Sequence, residues 1–177
     1  MGCDIHCYIE FRGKKKVHDD WSKKWSSFGG RINPGRHYEL FTRLSGVRGY
    51  TDIPIANFGL PEDISWSVEH DNQLYIDYNG DAGVRGYFNS VTPENAEEWV
   101  NSRKSRYIKN SLKLGAEEGK NTHVTNPDWH SHGWVTPELL SKALRGISTP
   151  EWKATLAAMK SLEKSNLEVR MVFWYDN

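Results

Sequence analysis

The most apolar extended segments of this chain stand at its two ends, "CDIHCYIEF" and "LEVRMVFWY". A chain whose best strands are its first and last must bring its termini together to bury them. Side chains alternate faces along a strand, so Cys3, Ile5, Cys7, Ile9 and Phe11 share one side of the first strand, and Asp4, His6, Tyr8 and Glu10 the other. The first side reads as core. The second reads as wetted surface or as the floor of a site, because an aspartate and a histidine covered by protein are costly without partners. Pairing the end strands in the centre of one sheet, with helices laid on it, predicts an α+β domain. Its sheet is mostly antiparallel and its loops are long and irregular.

At 177 residues the chain suffices for one core and is short for two, so a single domain is expected. Lys plus Arg and Asp plus Glu balance at 23 each. That balance removes the electrostatic basis for coating a nucleic-acid polymer or holding an anionic membrane. No segment approaches the roughly 20 apolar residues that cross a bilayer, and no basic stretch followed by an apolar run opens the chain, so a cytoplasmic protein is expected. "MGCDIH" lacks the Ser or Thr that myristoylation needs where His6 stands. Cys3 and Cys7 would lie about 13 Å apart on one strand face, too far to bridge, and read as reduced core residues. Eight tryptophans exceed what such a core needs. Surplus aromatics beside polar clusters suit planar ligands.

Along the chain, "VHDDWSKKW" returns after "RGKKK" as the second arm of a hairpin, with Lys14, Lys15 and Lys16 solvated at the turn. "HYELFTRLSG" reads as a short helix with Tyr38, Phe41 and Leu44 on one side and Gly46 as its stop. Residues 47–91 show no strong helical period and read as irregular. "TPENAEEWVNSRKSRYIKNSLK" reads as a long helix capped by Thr92, and Thr136-Pro137-Glu138 and Thr149-Pro150-Glu151 open two more. The stretch before Thr136 reads as loop.

Two clusters could carry chemistry. "THVTNPDWHSHGW" holds His123, Asp128, His130 and His132, and in an extended segment His130 and His132 face the same way. With Asp4 and His6 they have the composition of a divalent-metal site, for Zn, Mn or Ni. "GVRGY" occurs twice, at 46–50 and 83–87. There glycine lets backbone amides approach a phosphate, Arg48 or Arg85 adds charge-assisted bonds, and Tyr50 or Tyr87 offers a face to a base. For either copy alone a turn with a solvated arginine is the simpler reading. No complete hydrolase motif of the Gly-Asn-His-Glu or His-Glu-x-x-His kind is present.

The opening "MGCDIH", the segments "RHYELFTRLSGVRG", "PIANFGLPEDIS" and "DWHSHGWVTPELL", and the ending "VRMVFWYDN" resemble a small family of phage, prophage and bacterial proteins in which the same blocks occur in the same order. The resemblance covers about half the chain. It implies that Asp4, His6, His130, His132 and the first Gly-Val-Arg-Gly belong to family blocks. It further implies that residues from about 69 to 120, with Arg85 and Tyr87, are an insertion. A phage setting implies a small accessory protein in the host cytoplasm that acts on host metabolism or on host defence signals.

Three readings stay open. One is a non-catalytic pocket for a small phosphorylated ligand, a nucleotide first, lined by His6, Arg48, Tyr50, Arg85, Tyr87, His130, His132 and Trp134. The second is a metal-dependent phosphoester hydrolase using Asp4, His6, His130 and His132. The third blocks a host protein by surface contact, with or without self-association. The first two expect the polar face of the first strand and the "HSHGW" segment to meet at one site.

Overall fold

The fold, given by a computed structural model, is described for residues 2–14, 24–49, 53–61, 63–78, 90–108 and 121–176. In chain order the elements are β1 (Ile5–Gly13), β2 (Ser26–Ser27), α1 (Tyr38–Ser45), β3 (Asn57–Phe58), α2 (Trp66–Asn72), β4 (Gln73–Ile76), β5 (Ser90–Val91), α3 (Pro93–Asn101), β6 (Tyr107–Ile108), β7 (His123–Thr125), β8 (His130–Val135), α4 (Pro137–Ala143), α5 (Pro150–Lys164) and β9 (Leu167–Tyr175). The arrangement is α+β. The chain forms two compact units, Met1–Val68 with Trp129–Asn177, and Glu69–Asp128.

In the first unit the strands run β2-β1-β9-β8-β3, every neighbour antiparallel. The first and last strands are adjacent and central, paired from Ile5 against Tyr175 to Gly13 against Leu167. One face of this sheet is the core: Cys3, Ile5, Cys7 and Ile9 of the first segment meet Met171, Phe173 and Tyr175 under the helices. Three helices supply the cover because each has a local start and an apolar stripe. His37 caps α1 by accepting from the Leu40 amide at 3.3 Å, and Gly46, at φ 72°, ends it. Thr136 accepts from Leu139 N at 3.3 Å to start α4, with Pro137 in its first turn. α5 lays Trp152, Thr155 and Met159 inward.

The second unit holds a sheet of order β5-β4-β7-β6, in which β4 and β5 are parallel. Ile76, Val91, Ala96 and Val124 form its core. Three expectations change here. Residues 47–91 are less irregular than their composition suggests, since they carry β3, α2, β4 and β5. The helix begun by Thr92 stops at Asn101, where Arg103 turns to φ 60°, and "YI" continues as strand rather than helix. The stretch read as loop before Thr136 contains β7 and β8. Most of the expected hairpin return, with Lys15 and Lys16, lies outside the described residues; the partner of β1 on that side is β2.

The opposite face of the first sheet carries Tyr8, Val172 and Trp174 in its middle, closed over by Val68 with Leu60, Ile64, Trp129 and Trp134. Next along the same face is a buried ion pair. Glu10 is fully buried and Arg170 nearly so. Arg170 Nε donates to Glu10 Oε2 at 2.6 Å, and the Ser65 amide donates to Oε1 at 2.5 Å. Arg170 also donates to Asp63, through Nη1 to the carboxylate at 3.1 Å and through Nη2 to the carbonyl at 2.7 Å. Glu10 and Arg170 are directly opposed across the β1–β9 ladder, so the pair fixes that register in a way an aliphatic pair would not. Removing one partner strands a buried charge. Arg170→Met is therefore expected to lower the unfolding free energy by about 3–5 kcal/mol, read from the urea midpoint; a loss of under about 1 kcal/mol, the scale of an exposed pair, would show that the pair does not hold the sheet.

Candidate functional site

Where β1 begins and β9 ends, the two chain ends are tied together. The Asp176 amide donates to the Asp4 carbonyl at 3.2 Å, and the Asp4 amide returns a bond to Asp176 Oδ1 at 2.8 Å. The other oxygen, Oδ2, accepts from His6 Nε2 at 3.0 Å. Asp176 thus fixes the imidazole and a backbone amide with one carboxylate. Asp4 is claimed from the other side: Arg36 Nε and Nη2 grip its two oxygens at 2.5 and 2.8 Å. This two-pronged grip holds the Asp4 carboxyl below the usual range and pushes the Arg36 guanidinium up. A Cβ at Gly2 would run into the guanidinium and push it aside.

A second guanidinium approaches the same segment. Arg48, at φ 61° in the loop after α1, reaches the Cys3 thiol, which burial pushes up and Arg48 pulls back. Its guanidinium carbon lies 5.9 Å from the centre of the Tyr38 ring. Arg36 and Arg48 come from the loops on either side of α1, and so converge on Gly2, Cys3 and Asp4 from two directions. Tyr38 stands exposed between those loops.

Behind this charged rim is an aromatic cluster. The His6 ring lies 5.7 Å from Trp129 and 6.1 Å from Trp174, and the two indoles lie 5.1 Å apart. His132 stacks on Trp174 from β8, with ring centres 6.1 Å apart. Since β9 runs between β1 and β8, His6 and His132 flank Trp174 on one face. The "HSHGW" segment therefore does reach the polar face of β1, through one of its histidines.

The other histidine does not. His130 pairs with Tyr175 and stacks on its ring at 6.0 Å, while Gly133 pairs with Phe173. Three steps along β8 thus match two along β9, the extra residue being absorbed at Ser131, at φ 50°. This bulge reverses the alternation, so His130 and His132 do not face the same way. His130 goes to the helix-bearing face, bonded through Nδ1 to Ser131 Oγ at 2.9 Å, and its buried Nε2 has no partner among the described residues. The expected ligand set of Asp4, His6, His130 and His132 is corrected accordingly. Asp4 is spent on Arg36, His130 lies on the wrong face, and among the described residues no three His, Cys, Asp or Glu side chains are grouped as a metal ion would need.

Of the other expected residues, Tyr50, Arg85 and Tyr87 lie outside the described residues. His123 sits in β7 of the second unit, where burial lowers its pKa, and Asp128 lines a hollow of that unit with Trp99 and Lys104. Trp134 is on the correct face but two residues farther from His6, where it lines a separate cavity. Sequence reasoning missed Asp176, Arg36 and Trp129. Asp176 was within reach: continuing the β9 alternation one pair beyond Trp174 puts it on the His6 face. Nothing local marks Arg36. No family model, curated protein or solved structure matches the chain, so the site is read from its own geometry.

Two measurements check this geometry. Ser131→Val would suit a regular strand, but at positive φ a β-branched residue is strained, and the change is expected to cost about 1–2 kcal/mol; an unchanged or raised stability would contradict the bulge. Asp4 titrates below its unfolded value, so its contribution to stability is complete above that value, 3.8, and fades as pH falls through the lower folded midpoint. Arg36→Gln is expected to move the Asp4 carboxyl midpoint upward in an NMR titration and to leave the fold intact. A midpoint that stays put would assign the shift to something other than Arg36.

Proposed function

We propose that the protein binds a small phosphorylated ligand, a nucleotide in the first instance, at the end of the sheet where Asp4, His6 and Asp176 meet, and holds it rather than converting it. The observation that carries this reading is the convergence of Arg36 and Arg48 on Gly2–Asp4, with exposed Tyr38 near the Arg48 guanidinium and half-buried Trp129 next to His6. Guanidinium groups suit the phosphate, since they donate in a planar fork, and the rings suit the base. His6, held by Asp176, supplies an oriented imidazole. Such a protein fits an accessory role in which a host defence signal is sequestered.

A second reading, surface blockade of a host protein, draws on Phe58 and Trp66, two large apolar side chains well exposed in the first unit. Calorimetric titration separates the two. At least one member of a panel of mono-, di- and cyclic nucleotides is expected to bind wild-type protein. Arg48→Ala is expected to weaken it by about tenfold to a hundredfold, the worth of a charge-assisted bond. Absence of heat with every member, on protein that is shown to be folded, overturns the nucleotide reading. Retained nucleotide affinity in Phe58→Ser/Trp66→Ser sets the exposed aromatics apart from it.

A further inference from the structure

The other end of the same sheet carries a cavity of about 740 Å³, lined from the Glu10–Arg170 face by Arg12, Trp25 and Arg170 and from the helix-bearing side by Glu163 of α5. Trp25 lies across that pair. Its ring centre is 3.8 Å from the Arg170 guanidinium carbon and 4.6 Å from that of Arg12, and its Nε1 donates to Asp63 Oδ2 at 3.0 Å. Arg12 donates through Nε to Glu168 at 2.6 Å and through Nη1 to Asp63 at 2.9 Å. The protein thus already holds two guanidinium groups here in one manner: an indole face on one side, carboxylates at the edge.

The charges are layered. The side chain of Arg170 is 6% exposed where its partner Asp63 is 57%, and Arg12 is 31% exposed where Glu168 is 41%. The cations lie deeper and donate to Glu10, Asp63 and Glu168, whereas the Asp63 and Glu168 side chains are the more exposed members of their pairs. With Glu10, four carboxylates (Glu10, Asp63, Glu163, Glu168) stand against three cations (Arg12, Lys14, Arg170). Glu163 is exposed on the last turn of α5 and has no ion pair among the described residues, and Trp134 stacks on no other ring there. One carboxylate without an ion pair and one indole, which packs against the Val172–Trp174 cluster and also lines the cavity, therefore repeat the elements that hold Arg12 and Arg170.

We infer that this cavity binds a small guanidinium compound, stacked on Trp134 with its N–H groups toward Glu163 and Glu168. The site is independent of the phosphorylated-ligand site, which lies at the other end of β1. A planar guanidinium is preferred over an ammonium because it can stack and donate two parallel bonds at once. Lys14, at the rim, disfavours a ligand with a second cationic group.

The test is a titration of n-butylguanidinium, n-butylammonium and acetate into the full chain, followed by tryptophan fluorescence and by the indole N–H signals in NMR. Saturable binding of butylguanidinium is expected, at least fivefold tighter than butylammonium, with no binding of acetate. Glu163→Gln, at an exposed position that the fold does not use, is expected to weaken it at least fivefold; Trp134→Phe is expected to retain binding while losing the fluorescence response. No saturable change with butylguanidinium, equal affinity for butylammonium, or unchanged affinity in Glu163→Gln overturns the inference. Nucleotide binding is measured at the same time on the same variants. Its persistence in Glu163→Gln keeps failure at one site distinct from failure at the other.

Discussion

The antiparallel ladder between β1 and β9 is the contact on which both faces depend. It joins residues 5–13 to residues 167–175, so nearly the whole chain must be closed as a loop before any of its hydrogen bonds form. A single-residue slip of β1 along β9 would turn Ile5, Cys7 and Ile9 out of the core and carry His6 and Glu10 into it. Aliphatic pairs oppose such a slip only through lost burial. Glu10 and Arg170 oppose it more sharply, because after a slip each would be a buried charge without its partner. The pair costs desolvation and returns definition. That trade is sensible for a ladder whose two strands lie at opposite ends of the sequence.

Much of this was legible from side-chain alternation. Cys3, Ile5, Cys7 and Ile9 do face the helices, the Thr-Pro-Glu starts do open α4 and α5, and the end strands do pair in the centre. What alternation could not supply was the partner of each polar residue. Glu10 reads as wetted because strand glutamates usually are; its burial depends on Arg170 and Ser65, 160 and 55 positions away. Asp4 and His6 were correctly expected to need partners. The dense histidine segment was the obvious source, yet the partners are Asp176 and Arg36, one from the chain terminus and one from a loop whose composition marks only a turn.

The histidine pair shows where the pattern itself breaks. His130 and His132 share a face only if β8 is regular, and nothing about Ser131 announces a positive φ, as a glycine would have. Gly133, two residues on, has a different reason to be glycine: a Cβ there would come within 3.0 Å of the Asn57 carbonyl and of Phe173. The bulge and this close approach together let β8 carry His132 and Trp134 to one face while sending His130 to the other.

The face away from the helices is consequently graded along β1 and β9. At one end, Asp176, His6, Asp4 and Arg36 form a partly wetted polar group; at the other, Glu10 and Arg170 are buried beneath the more exposed Asp63 and Arg12. Tyr8, Val172 and Trp174 separate them, closed over by Val68. Charges at the two ends interact across this apolar middle and through solvent that screens beyond about 8–10 Å. A substitution at either end therefore acts through its own neighbours. The aromatic middle does double service, since Trp174 both seals the core of this face and backs the two histidines of the polar end, so the position of His6 is set by packing as well as by Asp176.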